Sequence, residues 1–185
     1  MKKIILFVIL FSLMTLGLQA VKLDLGLLYS GRTIKEAEIK DVYGNGAVYF
    51  PYLAVNVWKG LTFGLGYEGG YDRDGKIGLY QEDTNLKITG VELFAAYRLE
   101  LGNLSPYLKL GFGSYAYKQV VSNVNKVDDK KSGLNLAVGI RYYLIKGLFL
   151  AAEAKYVPLK VKPIEEEVDL TGMRLGAGVG YTFNL

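Results

Sequence analysis

The side chains able to do chemistry in this 185-residue chain are carboxylates, amines, guanidinium groups and hydroxyls, because it has no histidine and no cysteine. Without imidazole, general-base arrangements of the Ser–His or Asp–His kind cannot be assembled. Imidazole and thiolate metal sites fall with the same absence, and so do disulfides. Paired carboxylates remain, but Glu165-Glu166-Glu167 lies in a polar segment and reads as solvated charge. The many glycines recur at period two, whereas a phosphate-binding loop needs a strand-to-helix turn. The expectation is a protein with no catalytic residues, no cofactor and no protein-built metal site.

Nine charged residues share a different property. Asp24, Glu68, Glu92, Arg98, Lys109, Arg141, Glu153, Lys155 and Arg174 each stand out of phase with a row of large apolar residues. The C-terminal stretch shows the pattern best. Met173, Leu175, Ala177, Val179, Tyr181, Phe183 and Leu185 alternate with Gly172, Arg174, Gly176, Gly178, Gly180, Thr182 and Asn184. Side chains alternate across a strand, so this is a ribbon with one apolar wall and one small or polar wall.

Seven more ribbons precede it. The first carries Leu23, Leu25, Leu27 and Tyr29, and the second Pro51, Leu53, Val55 and Val57. The third and fourth centre on Phe63 to Tyr67 and on Val91 to Tyr97, and the fifth on Leu108 to Phe112. The sixth alternates from Leu134 to Leu144 and the seventh from Leu148 to Tyr156. Tight connections are expected at Trp58-Lys59-Gly60, Glu100 to Ser105 and Lys146-Gly147-Leu148. Longer polar loops are expected over Gly31–Gly46, Gly70–Lys87, Lys118–Ser132 and Pro158–Thr171, with Ile34, Ile77 and Val120 exposed. Pro51, lacking an N–H, is expected near the loop end of its strand, at a bulge. If Lys146 to Leu148 form a three-residue turn, Arg141 faces Glu153.

Eight strands of about 9–11 residues with alternately short and long connections suit a closed antiparallel barrel that crosses a bilayer. In hydrocarbon every backbone N–H and C=O must be paired internally, and closure achieves this for strands. Aromatics at strand ends (Tyr29, Trp58, Tyr67, Tyr97, Tyr142, Tyr156, Tyr181 and Phe183) fit girdles at the two membrane interfaces. An eight-stranded interior is only wide enough for side chains, so the nine inward charges are expected to form a paired network filling it.

Lys2 and Lys3 precede an apolar run from Ile4 to Leu18, with Ala20 at a cleavage point. This describes a secretory signal peptide over residues 1–20, leaving the barrel as residues 21–185. The loss of two lysines leaves 20 basic residues against 18 acidic ones. So small an excess, without a clustered basic face, gives no sign of a nucleic-acid partner.

On these strands, and on the terminal Tyr181-Thr182-Phe183-Asn184-Leu185, the chain resembles the small outer-membrane barrels of the OmpX and OmpA-barrel type. The resemblance implies export to the outer membrane of a diderm bacterium and contact with its lipid and lipopolysaccharide. For the Glu165–Glu167 run the leading reading stays solvated charge, with a divalent cation bridging it to lipopolysaccharide phosphates as the minor alternative. The resemblance also implies insertion by the barrel-assembly machinery, which reads alternating aromatics at the C-terminus. Tyr181 and Phe183 match that signal, and Leu185 takes the place of the usual final aromatic.

The sequence thus points to a monomeric, non-catalytic barrel with a structural or surface-interaction role and a lumen plugged by charge. A narrow channel for ions or small solutes is the first alternative. A soluble periplasmic lipid-binding barrel, with the apolar wall inside, is the second. After a carbonate wash the protein should stay with the membrane and show heat-modifiable gel mobility; release in soluble form would exclude a membrane barrel.

Overall fold

The period-two alternation folds into eight long antiparallel strands. The structure is a computed structural model that describes residues 21–122, 125–161 and 168–184. The expected signal peptide, the Glu165–Glu167 run and Leu185 lie outside the described residues.

The barrel strands are β1 (Lys22–Arg32), β2 (Gly46–Trp58), β3 (Leu61–Ile77), β4 (Glu82–Arg98), β5 (Leu104–Val121), β6 (Asn125–Tyr143), β7 (Leu148–Val157) and β10 (Gly172–Asn184). A helix, α1 (Ala37–Tyr43), follows β1, and a short hairpin of β8 (Lys160–Val161) and β9 (Val168–Asp169) precedes β10. Consecutive barrel strands are neighbours, and β1 closes the ring by pairing with both β2 and β10. Lys22 stands opposite Asn56 on one side and Asn184 on the other.

Turn chemistry sets the short end. Lys59 (φ 32°) and Gly60 (φ 90°) form a two-residue connection with both φ values positive, the geometry that matches strand twist in a hairpin. A side chain at Gly60 would also strike the Arg98 carbonyl, 2.0 Å from its ideal Cβ. Between β6 and β7 the loop closes with Leu144 N–H donating to the Leu148 carbonyl at 3.0 Å, so the three-residue turn is Ile145–Gly147, one residue earlier than expected.

The walls face as their chemistry demands in lipid. Leu93, Leu110, Val138 and Leu175 are 62, 53, 53 and 65 % exposed on the outer surface. The charged, hydroxyl and small residues line the interior, together with inward rings such as Phe50, Phe94 and Phe149. Trp58, Tyr97, Tyr142 and Tyr181 ring the short-turn end, and Tyr29, Tyr49, Tyr67 and Tyr156 ring the other. This orientation removes the apolar lumen that a soluble lipid carrier requires.

The small inner wall is small for a packing reason. An ideal Cβ on Gly66 would lie 2.1 Å from the Phe50 ring, and one on Gly139 would lie 2.4 Å from the Tyr107 ring. Glycine there makes room for large side chains reaching in from neighbouring strands.

Three expectations are corrected. Much of the loop segments Gly70–Lys87 and Lys118–Ser132 is strand: β3 and β4 continue to a turn at Gly78–Gln81, and β5 and β6 extend similarly. Above the lipid, both faces can be polar while the backbone ladder persists, so polarity there does not signal a loop. The change is marked by a bulge between Glu68 and Tyr71, where Gly70 adopts φ 95° and one extra β3 residue turns Tyr71 inward. Ile34, expected on the surface, is buried at 3 % exposure in the apolar cluster that covers the lumen. Pro51 lies in mid-strand opposite Leu27, and the register is unchanged from Tyr49↔Gly69 to Tyr52↔Gly66. The bulge on β2 is at Asn56–Trp58 instead.

The orientation of the walls is testable by substitution. Leu110→Arg or Leu136→Arg, facing lipid, should each destabilise the inserted barrel by about 2–4 kcal/mol near the midplane. Inward Ser105→Ala, which removes a buried hydroxyl without a protein partner, should cost less than about 0.5 kcal/mol in the same urea titration. Equal tolerance of all three would mean that the walls face the other way. Gly139→Ala, although inward, should itself be costly because its Cβ would meet the Tyr107 ring.

Candidate functional site: the charged lumen

Ten charged side chains are buried among the described residues: four carboxylates and six cations. They include all nine residues singled out by their phase, joined by Arg32. The strands stack them in three tiers along the barrel axis.

The tier nearest the short turns is built on Asp24. Arg98 Nη1 donates to Asp24 Oδ2 at 3.1 Å and Arg141 Nη1 donates to the same oxygen at 2.6 Å. Thr182 Oγ1 donates to Oδ1 at 2.7 Å, so both carboxylate oxygens are used. Arg141 also lies over the Phe149 ring, 4.4 Å from its centroid, and donates to the Tyr52 hydroxyl at 3.3 Å. Asp24 and Arg141 are far apart in the chain and meet because β1 and β6 face each other across the lumen.

The middle tier contains two ion pairs. Lys109 Nζ donates to both Glu153 oxygens at 2.7 and 2.6 Å, and the Tyr107 hydroxyl donates to Glu153 Oε2 at 2.8 Å. Lys155 donates to Glu92, which also accepts from Asn135 Nδ2 at 3.0 Å and from the Tyr115 hydroxyl at 3.3 Å. Phe50 packs between the two amines, with its ring centroid 5.1 Å from Lys109 Nζ and 4.6 Å from Lys155 Nζ.

In the third tier Glu68 lies between two guanidinium groups. Arg32 Nη1 donates to Glu68 Oε1 at 3.5 Å, and Arg174 pairs with Oε2. Above it an apolar lid closes the long-loop end. Tyr43 of α1, Ile34, Tyr71, Leu86, Ile88, Tyr117, Leu159 and Leu170 form one buried cluster. The Tyr71 hydroxyl donates to the Gly44 carbonyl at 3.0 Å, tying the helix connection to β3.

The proposed Arg141–Glu153 pair does not form. Tyr143 stands opposite Phe149, so Arg141 faces Ala151 and Glu153 faces Gly139. A register offset of two residues keeps every side chain on its face but exchanges its partners. Among the described residues Arg32 is the buried charge beyond those nine, and it lies past Gly31, where a loop is expected. It is nevertheless in phase with Asp24, Gly26, Leu28 and Ser30, and that phase was the available signal. Tyr181 and Phe183, expected as an assembly signal, lie outside on β10 with ring centroids 4.7 Å apart.

No three carboxylates converge on one point among the described residues, and each buried carboxylate is engaged by a cation. Outside the barrel belt, the extensions of β3 to β6 carry a polar outer face. Asn85 donates to Asp72 at 2.8 Å and Lys87 lies 3.2 Å from the same carboxylate. The Asn85 hydrogen bond, with help from Lys87, holds the Asp72 carboxyl below its ordinary range.

A family model described as "Outer membrane protein beta-barrel domain" matches residues 4–183. The chain belongs to this outer-membrane barrel family. Among solved structures, it is similar to Neisserial surface protein A, with TM-score 0.64 and 14 % identity over 88 % of this chain and 97 % of that one. OprG from Pseudomonas aeruginosa matches with TM-score 0.65 and 13 % identity over 90 % and 97 % of the two chains. Ail of Yersinia pestis, solved with the heparin analogue sucrose octasulfate, matches with TM-score 0.54 and 15 % identity over 87 % and 97 %. At such identities these likenesses speak for the fold. Comparison with curated proteins gave no match. Family and fold together point to the outer membrane of a Gram-negative bacterium.

The two-to-one arrangement at Asp24 yields a directional prediction. Asp24→Asn leaves two buried arginines without their shared anion and should cost about 3–5 kcal/mol. Arg98→Met leaves Asp24 with Arg141 and Thr182 and should cost markedly less. Urea unfolding in lipid vesicles would measure both; equal costs would show that Asp24 is not the shared partner.

Proposed function

We propose that this protein is a non-catalytic, closed barrel whose role is structural or surface-interactive, with the lumen plugged by its ion-pair tiers. The observation that carries this reading is how little space the lumen leaves. Two of the spaces among its tiers measure about 20 and 10 Å³, each enough for about one water-sized particle, while a wider space of about 190 Å³ lined by Ser105, Tyr143 and Thr182 is confined to the short-turn mouth. A hydrated ion passing along the axis would have to displace paired side chains and then the apolar lid. Separating a buried pair without replacement partners is costly.

A closed anchor leaves the long-loop end as the part available to partners. There β3 to β6 project beyond the apolar belt as a four-stranded sheet, with Leu79 and Tyr80 almost fully exposed at the tip of the β3–β4 turn. Such a sheet offers strand edges and an apolar tip for recognition at the cell surface. The signal segment over 1–20 is proposed to direct export and be removed, with Tyr181, Phe183 and Leu185 as the insertion signal. Outer-membrane lipid and lipopolysaccharide are the expected surroundings, and the barrel is proposed to act as a monomer.

Planar-bilayer recording of the purified full-length barrel tests the plug. The expected trace is flat, without steady conductance at moderate voltage. Stable, ion-selective wild-type conductance would replace this reading with that of a narrow channel.

A further inference from the structure

We propose that the short-turn end of the lumen is a binding site for one monatomic anion of about chloride size, held between Arg98 and Arg141. This does not depend on whether the barrel conducts, because it concerns a resident ion.

The argument starts from charge. The middle tier balances two lysines against two glutamates, whereas the first tier sets two arginines against Asp24 alone. A guanidinium cannot relieve the excess by losing its proton. Glu100 also approaches Arg98, but it is half exposed at the rim and 3.9 Å from Arg98 Nη2, beyond hydrogen-bond length. One positive charge of the tier therefore lacks a buried counter-charge.

Donors and space coincide with that excess. Nε and Nη2 of Arg98 and Nε of Arg141 are buried and donate to no protein group. Both arginines line the cavity of about 20 Å³, together with Thr62, Tyr107, Lys109 and Glu153. Glu153 is already committed to Lys109 and Tyr107, so three cations face a single satisfied carboxylate. The volume suits one small sphere and is too tight for sulfate or phosphate. A halide would take up the orphaned N–H groups and neutralise the tier in one step. Water would satisfy the donors and leave the charge.

The test uses the wild-type barrel refolded in detergent. At constant ionic strength, replacing gluconate by chloride should raise the melting temperature saturably, by roughly 5 °C at one hundred times the dissociation constant. Bromide-grown crystals should give an anomalous peak within hydrogen-bond reach of Arg98 and Arg141. Arg98→Gln should remove the chloride dependence, while Lys87→Gln, on the outer surface, should retain it. Identical melting in chloride and gluconate, or ordered water alone between the arginines, would overturn the site. A bromide peak without any chloride-dependent stability would mark an adventitious ion only, and would overturn it equally.

Discussion

Everything in this structure depends on closing the backbone ladder. A strand in hydrocarbon has no water to satisfy its N–H and C=O groups, so each must find a neighbour. Here β1 supplies the last pairing by meeting β10, eleven register pairs long. Closure with eight strands in turn dictates a lumen about as wide as the side chains that project into it. The outward row of large apolar residues then has only lipid to face, and the inward polar residues have one another and a few aromatic rings.

That confinement explains why the interior is polar and yet internally paired. A narrow interior behaves as a low-dielectric medium in which an isolated charge is expensive and a paired one is tolerable. Each carboxylate is accordingly engaged by at least one cation. Tyrosine hydroxyls and Asn135 occupy further acceptor sites, and aromatic rings separate neighbouring cations. The glycines of the inner wall belong to the same solution. Phe50 and Tyr107 have room because Gly66 and Gly139 bring no side chain against their rings.

Much of this was legible in the residues. Period-two alternation identified the eight strands and the outward phase of residues such as Leu93, Leu110 and Leu175, because alternation is a local property of the strand. It also put Asp24, Glu68, Glu92 and the five cations Arg98, Lys109, Arg141, Lys155 and Arg174 on the inner face with Glu153. What it could not supply was partnership. Asp24 meets Arg141 across the barrel, and that meeting depends on tilt and on every intervening register. Even between the neighbouring strands β6 and β7 partnership depends on the turn, since closure at Leu144–Leu148 sets Glu153 with Lys109 and not with Arg141. The apolar lid was hidden for another reason. Ile34, Tyr43 and Leu170 lie in segments without alternation, and their burial follows from how the segments fold over the barrel mouth. Arg32 and the upper halves of β3 to β6 lie where polarity alone does not distinguish strand from loop.

The central claim is that specific ion pairs, not a generic polar filling, hold the lumen together. A double-mutant cycle on Lys109 and Glu153 tests it most directly, using Lys109→Met, Glu153→Gln and the two combined, with unfolding free energies measured in vesicles. Residues joined as these are should show a coupling energy of about 1–3 kcal/mol, the double variant recovering part of what each single change loses. Strictly additive losses would contradict the account, because they would mean that the two groups share the lumen without acting on each other.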